Sequence, residues 1–255
     1  MIEFSSDLTL ATLLILTAVA FTAGFINAIS GGGGLITLPT LLWAGLPPLD
    51  ALGTNKFQAV FGTLSSSFNY FQKGHLQLRP LWPGLVAAMI GSSMGTWAVT
   101  ILKVEILNTL LPILIIAIAL YFTVSPRISD IDTKPRVHQK FFNLVIGGGV
   151  GFYGGFFGPG MGALFALAFA ALLGYNMRKA TASTKPLVLA TNITSLVIFT
   201  LGGHLSLVLG ITMAAAQIVG ARLGSNLVIT HGAKLIKPVI IFASLAIAIK
   251  LLLEP

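Results

Sequence analysis

Long apolar runs separated by short polar segments make up most of this chain. A helix needs about 20 apolar residues to cross a bilayer. Runs of that order lie near 51–72, 80–102, 104–124, 181–202, 205–229 and 233–253. Two further apolar regions, 8–46 and 141–174, are cut by glycine clusters at Gly31 to Gly34 and at Gly158 to Gly162. Each cut leaves a longer arm (8–29 or 141–157) and a shorter one (35–46 or 161–174). A helix rises about 1.5 Å per residue, so the shorter arms fall below the hydrocarbon thickness of about 30 Å. The pattern predicts an all-α integral membrane protein in which each glycine-broken region folds as a helix hairpin.

The two broken regions open two copies of one segment. Gly53-Thr54-Asn55-Lys56 is answered by Ala182-Ser183-Thr184-Lys185, Gly74-His75 by Gly203-His204, and Gly91 and Gly95 by Gly220 and Gly224. From Lys56 to Gly95 the offset between copies stays at 129 residues without a gap. Each copy is then a hairpin followed by three full spans. A hairpin returns to its own side, and three crossings turn the second copy over. Two inverted-topology repeats are therefore predicted, 1–125 and 141–255, joined by a cytoplasmic linker at 126–140.

Charge supports the membrane reading. Only 9% of residues are charged and 55% are hydrophobic, against about 25% charged in soluble domains. Fifteen basic and seven acidic residues give a net charge of +8. The basic residues are scattered through loops and form no patch for nucleic acid. By the positive-inside rule, segments 73–79, 125–140, 174–179 and 231–237 face the cytoplasm. The opposite side takes 1–7, 46–50, the region around 103 and the C-terminus. This is the topology of a multi-pass membrane protein. Trp43, Trp82, Trp97, Tyr70 and Tyr175 fall near span ends, as an aromatic belt does. The linker mixes Arg127, Asp130, Asp132, Lys134, Arg136 and Lys140 and is expected to be a mobile loop.

Several chemistries are excluded or disfavoured. The chain has no cysteine, so disulfides and thiolate metal sites are out. The N-terminus lacks a basic stretch, and the first apolar run is expected to be a retained span. No P-loop or dinucleotide fingerprint is present. The four histidines fall at span ends or in loops, which leaves no nucleophile–base pair or metal cluster within the spans. No catalytic residue, metal or cofactor is expected. All seven carboxylates fall in expected loops or tails, which disfavours cation transport and carboxylate proton relays.

The glycine breaks create helix starts near Leu35 and Met161. A helix start offers unpaired N–H groups and a partial positive charge. Gly31, Gly32, Gly33 and Gly34, and Gly158, Gly160, Met161 and Gly162, are thus candidates for holding an anion; close helix packing is the alternative. Packing is the expectation for Gly91, Gly95, Gly220 and Gly224. Lys56 and Lys185 stand at equivalent positions near the starts of two spans. Either they snorkel to the interface, or they are functional charges with a partner in the membrane. Hydroxyls and amides surround both: Thr54, Asn55, Gln58, Thr63 and Ser66 in one copy, and Thr181, Ser183, Thr184, Asn192 and Ser195 in the other. Such donors beside a cation suit an oxyanion. Arg222 has Ser93 as its counterpart; it either completes the site asymmetrically or snorkels. His75 and His204 are matched span-end residues, expected to be interfacial.

The run Gly24-Phe25-Ile26-Asn27-Ala28-Ile29-Ser30 ahead of the glycines, the Gly53-Thr54-Asn55-Lys56 motif with Gly74-His75 behind it, and their second-half echoes resemble the TauE/SafE sulfite exporter family. The resemblance covers essentially the whole chain. It implies a transporter of sulfur-containing anions such as sulfite, sulfoacetate or other sulfonates, usually working outward. Its motif regions fall on Asn27 to Gly34 with Thr54 to Lys56, and on Gly158 to Gly162 with Ser183 to Lys185, and it implies a place in the cytoplasmic membrane. Pro159 and Pro186 depart from the pattern of the first copy. An inside-negative potential favours anion export by about 2.3 kcal/mol per charge per 100 mV, so export needs no coupled ion. An anion channel or a uniporter for another small oxyanion or carboxylate fits the same residues. The expected partners are the small anion and the bilayer; small residues on the spans permit a homodimer without requiring one.

Overall fold

The computed structural model describes residues 10–124 and 131–231. The expected span at 233–253, the tail at 1–7 and linker residues 126–130 lie outside them. All elements among the described residues are helical. The first hairpin is α1 (Leu10–Ser30) and α2 (Gly34–Trp43), followed by α3 (Pro48–Gln72), α4 (Trp82–Thr100) and α5 (Val104–Val124). The second begins with α6 (Gln139–Phe141), which runs through a π turn at Phe142–Ile146 into α7 (Gly147–Phe156). After it come α8 (Met161–Leu173), α9 (Met177–Leu201) and α10 (Leu207–His231).

Local chemistry sets the element ends. Pro47 and Pro48 open α3, where a missing N–H costs nothing. The Asn176 side chain caps α9 by accepting from the Lys179 N–H at 3.0 Å. Pro186 lies inside α9, which nevertheless continues to Leu201.

Leu10–Ser30, Met177–Leu201 and Leu207–Thr230 are long and apolar enough to cross a membrane. Helix α3 has 25 residues, about 37 Å of helix, but carries a polar face that lowers its hydropathy. That face is buried: Thr54, Asn55, Gln58, Thr63, Ser66 and Asn69 are all within a few per cent of full burial. Leu64, Phe68 and Phe71 of the same helix are exposed. Polar inside and apolar outside is the pattern expected where the surrounding solvent is lipid.

Glycines let the helices approach closely. Gly91 and Gly95 of α4 lie against the backbone of Gly148 and Phe152 on α7. Gly220 and Gly224 of α10 lie against Phe21 and Phe25 on α1 in the same way. Helices α3 and α9 cross antiparallel through the centre. Near the start of α3, Gly53 touches Phe199 and His204 at the end of α9. Beyond the end of α3, His75 lies in the field of Arg178 in the first turn of α9.

Two expectations need correction. Linker residues 132–137 are tied down: Thr133 donates its N–H to the Gly174 carbonyl at 2.7 Å and Arg136 to Leu172 at 2.8 Å, while Asp132 accepts from the Asn176 N–H at 2.6 Å. The loop is held because backbone donors meet the open carbonyls at the end of α8. Asp50 and Glu105 are not loop residues either; each lies in the first turn of a helix, α3 and α5 respectively.

Candidate functional site

The two glycine breaks meet. A Cβ on Gly31 would run into the backbone of Gly162 and Ala163, and one on Gly34 would crowd Pro159. Gly31 has φ 78° and Gly158 has φ 101°, left-handed conformations that glycine adopts without steric cost. These residues therefore turn the chain sharply where the hairpin tips touch.

Each lysine reaches across to the other copy's hairpin. The Lys185 ammonium donates to the Asn27 carbonyl at 2.6 Å, in the last turn of α1. The Lys56 ammonium donates to the Gly154 carbonyl, in the last turn of α7. Asn27 and Gly154 precede Gly31 and Gly158 by the same four residues, so the two contacts are reciprocal. Both lysines are 1–2% exposed. They do not snorkel. A cation at a helix C-terminus gains about 0.3–2 kcal/mol from the exposed carbonyls. A lysine in the middle of a membrane helix costs about 2.5–3.5 kcal/mol. The helix ends therefore offset only part of the burial cost, and an anion can supply the rest.

Between the breaks lies a cavity of about 20 Å³. Its polar lining is Asn27, Asn55, Lys56, Asn192 and Gln217, with Gly31, Gly34, Gly158 and Gly160 supplying backbone and Ala59, Met161 and Val188 apolar surface. That volume holds about one water. Anything larger than a water molecule enters only if the hairpin tips separate.

The lining amides form a chain. Gln217 Nε2 donates to Gln58 Oε1 at 3.3 Å, Gln58 Nε2 donates to Asn55 Oδ1 at 3.3 Å, and the Thr37 hydroxyl donates to that same oxygen at 2.6 Å. Asn27 Nδ2 reaches the Thr63 hydroxyl at 3.4 Å. These side chains are oriented by one another before any ligand arrives.

Not every candidate joins the cavity. Thr54 turns away and accepts the Ser206 N–H at 3.1 Å. Ser30 bonds back to the Ile26 carbonyl at 3.0 Å, and Thr184 to the Thr181 carbonyl at 2.8 Å. Gly162 packs on Gly31 and Gly33 on Ala23, which is structural contact. Gly32 and Ser183 are buried but stand outside the lining, as does Lys185. Arg222 is remote from the cavity and donates to Gln72 Oε1 at 3.3 Å at the far end of α3. Ala59, Val188 and Gln217 were not expected. Gln217 had a signal: it is the one amide within the apolar stretch from Leu207 to Ala221.

The turn after α9 packs on the start of α3. His204 Nδ1 lies 3.0 Å from Asp50 Oδ1, and the Ser206 bond to Thr54 sits beside it. His75, in the equivalent turn after α3, faces Arg178 instead.

A helical, lipid-suited molecule with reciprocal lysines around a small polar cavity at two helix breaks has the build of a membrane transporter. Residues 16–251 match the profile of the family described as Sulfite exporter TauE/SafE, and the chain belongs to that family. It is 42% identical over 248 residues to a "Probable membrane transporter protein" of Haemophilus influenzae, covering 97% of both chains. It is 42% identical to the probable membrane transporter protein ORF9 of Sinorhizobium sp, over 98% of this chain and 95% of that one. Against YfcA of Escherichia coli K12, also called a probable membrane transporter protein, identity is 42% over 94% of this chain and 89% of the relative. No solved structure matches.

Proposed function

We infer that the protein is a secondary transporter that exports small sulfur-containing anions, sulfite, sulfoacetate or other sulfonates, across the cytoplasmic membrane. The observation that carries this reading is the reciprocal pair of buried lysines, each held on the opposite hairpin. The antiparallel crossing of α3 and α9, and the constant offset between the copies, support two inverted repeats with the site between them. In this reading the basic end, with the 73–77 turn and Arg178, is cytoplasmic, and the Asp50–His204 end is outside.

The mechanism follows from the cavity. The anion accepts hydrogen bonds from the amides of Asn27, Asn55, Asn192 and Gln217. Lys56 exchanges its carbonyl partner for the stronger, charge-assisted bond to an oxyanion, and Lys185 holds the first hairpin in place. The small closed cavity favours a carrier over an open channel, because substrate must part the tips to enter or leave. The membrane potential then drives export. The test is sulfoacetate and sulfite flux in proteoliposomes. Wild-type protein is expected to give saturable flux, and Lys56→Ala and Lys185→Ala little or none. Normal flux in both variants would overturn the assignment.

A further inference from the structure

Polar side chains continue beyond the cavity along one helix seam, between α3 and α10. Gln217 lines the cavity from α10. Further along the α3–α10 seam, Asn69 Nδ2 donates to the Ser225 hydroxyl at 2.7 Å and to Asn226 Oδ1 at 2.8 Å. At the end of the seam Arg222 meets Gln72, next to the 73–77 turn.

This series is unfinished in hydrogen-bond terms. Asn69 is fully buried and Gln217 is 2% exposed, yet Asn69 Oδ1 and Gln217 Oε1 have no partner. Buried polar atoms left open in this way call for water or ligand, most of all in a membrane. Most of the positions that answer these in the other copy are apolar. At the offset of 129, Gln58, Asn69 and Gln72 are answered by Leu187, Ile198 and Leu201 of the second copy, and Gln217 and Asn226 by Ala88 and Trp97 of the first, while Ser225 and Arg222 are answered by the polar Thr96 and Ser93. Ser92 and Thr96 are satisfied there, bonding Ser195 at 2.8 and 2.9 Å. At that end Asp50 and His204 lie 3.0 Å apart.

We propose that the α3–α10 seam is the hydrated leg of the translocation path, carrying a small oxyanion between the cavity and the end bearing the 73–77 turn. Gln217 stands at its inner junction and Arg222 at its mouth. The partnerless amide carbonyls hold the water that solvates the ion's passage, and the Arg222 guanidinium draws the anion in. This rests on the transport reading above and adds its route and its asymmetry.

The chain has no cysteine, so single cysteines test the route in the whole protein. Ser225→Cys and Asn69→Cys are treated in oriented vesicles with a charged, membrane-impermeant thiosulfonate, with Ile198→Cys as the apolar counterpart. The Ser225 substitution is nearly isosteric and keeps the test valid if Asn69→Cys does not fold. Thiols on the seam are expected to react from the 73–77 side ~10-fold or more faster than Ile198→Cys, since a hydrated thiol ionises and one in apolar packing does not. Absence of reaction at both, or equal reaction at Ile198→Cys, overturns the route. Added sulfoacetate is expected to slow the seam labelling. Labelling that sulfoacetate and sulfite leave unchanged keeps the route and counts against the sulfonate reading.

Discussion

Helical phase decides which residues of a motif can act together. Thr54, Asn55 and Lys56 are adjacent in sequence but point about 100° apart around α3. Asn55, Lys56 and Ala59 line the cavity, while Thr54 faces the turn after α9. The motif was therefore legible as a site, but not all of its members could belong to one surface. Gln217 escaped attention because its role comes from a contact with Gln58 across 159 residues, which no local pattern encodes. His75 offers a test at the same scale. Burial, and then the Arg178 charge, lower its pKa below the usual imidazole value, which is about 6.5. A depressed histidine makes the unfolded chain bind more protons below that value, so the stability His75 confers is present above it and lost as pH falls. Arg178→Gln is expected to move the His75 titration upward, part of the way back, in an NMR titration of the imidazole signals. An unchanged His75 would separate it from Arg178.

Among the elements, the broken hairpins were the most readable and the least ordinary. Their arms and spans matched expectation to within a few residues because charged loops and glycine clusters bound each apolar run. The π turn at Phe142–Ile146 had no sequence signal, since its residues are ordinary helix formers in membranes. At the hairpin tips the need for glycine has two parts, and substitution separates them. Gly74 has φ 74° with open space around it; Gly74→Ala meets only backbone strain, about 1–2 kcal/mol. Gly31 has φ 78° and also rests on the Gly162–Ala163 backbone, so its alanine must push the second hairpin away. Thermal unfolding in detergent should show a clearly larger loss for Gly31→Ala than for Gly74→Ala, together with loss of transport in the former alone. Equal losses would mean that the hairpin tips do not press on each other.

For the whole molecule, the distribution of polarity carries the argument. Lipid-suited side chains face outward, and Lys56, Lys185 and the amides of α3 and α10 face inward. Membrane class was legible in composition. The reciprocal lysine contacts were not, because they join residues 98 and 158 positions apart. The central claim is that Lys56 binds an oxyanion at a site that Lys185 holds in shape. Its most direct test is equilibrium binding of sulfite, sulfoacetate, taurine, sulfate and chloride to the purified protein, with Lys56→Ala and Lys185→Ala alongside. Loss of a charge-assisted hydrogen bond, about 1.5–3 kcal/mol, corresponds to roughly 10- to 100-fold in affinity. The account predicts selective binding of sulfite or sulfonate, weakened by that order in Lys56→Ala and weakened too in Lys185→Ala, through the loosened first hairpin. Binding of the same anions at undiminished affinity in both variants would contradict it and leave the glycine backbone as the anion's only host.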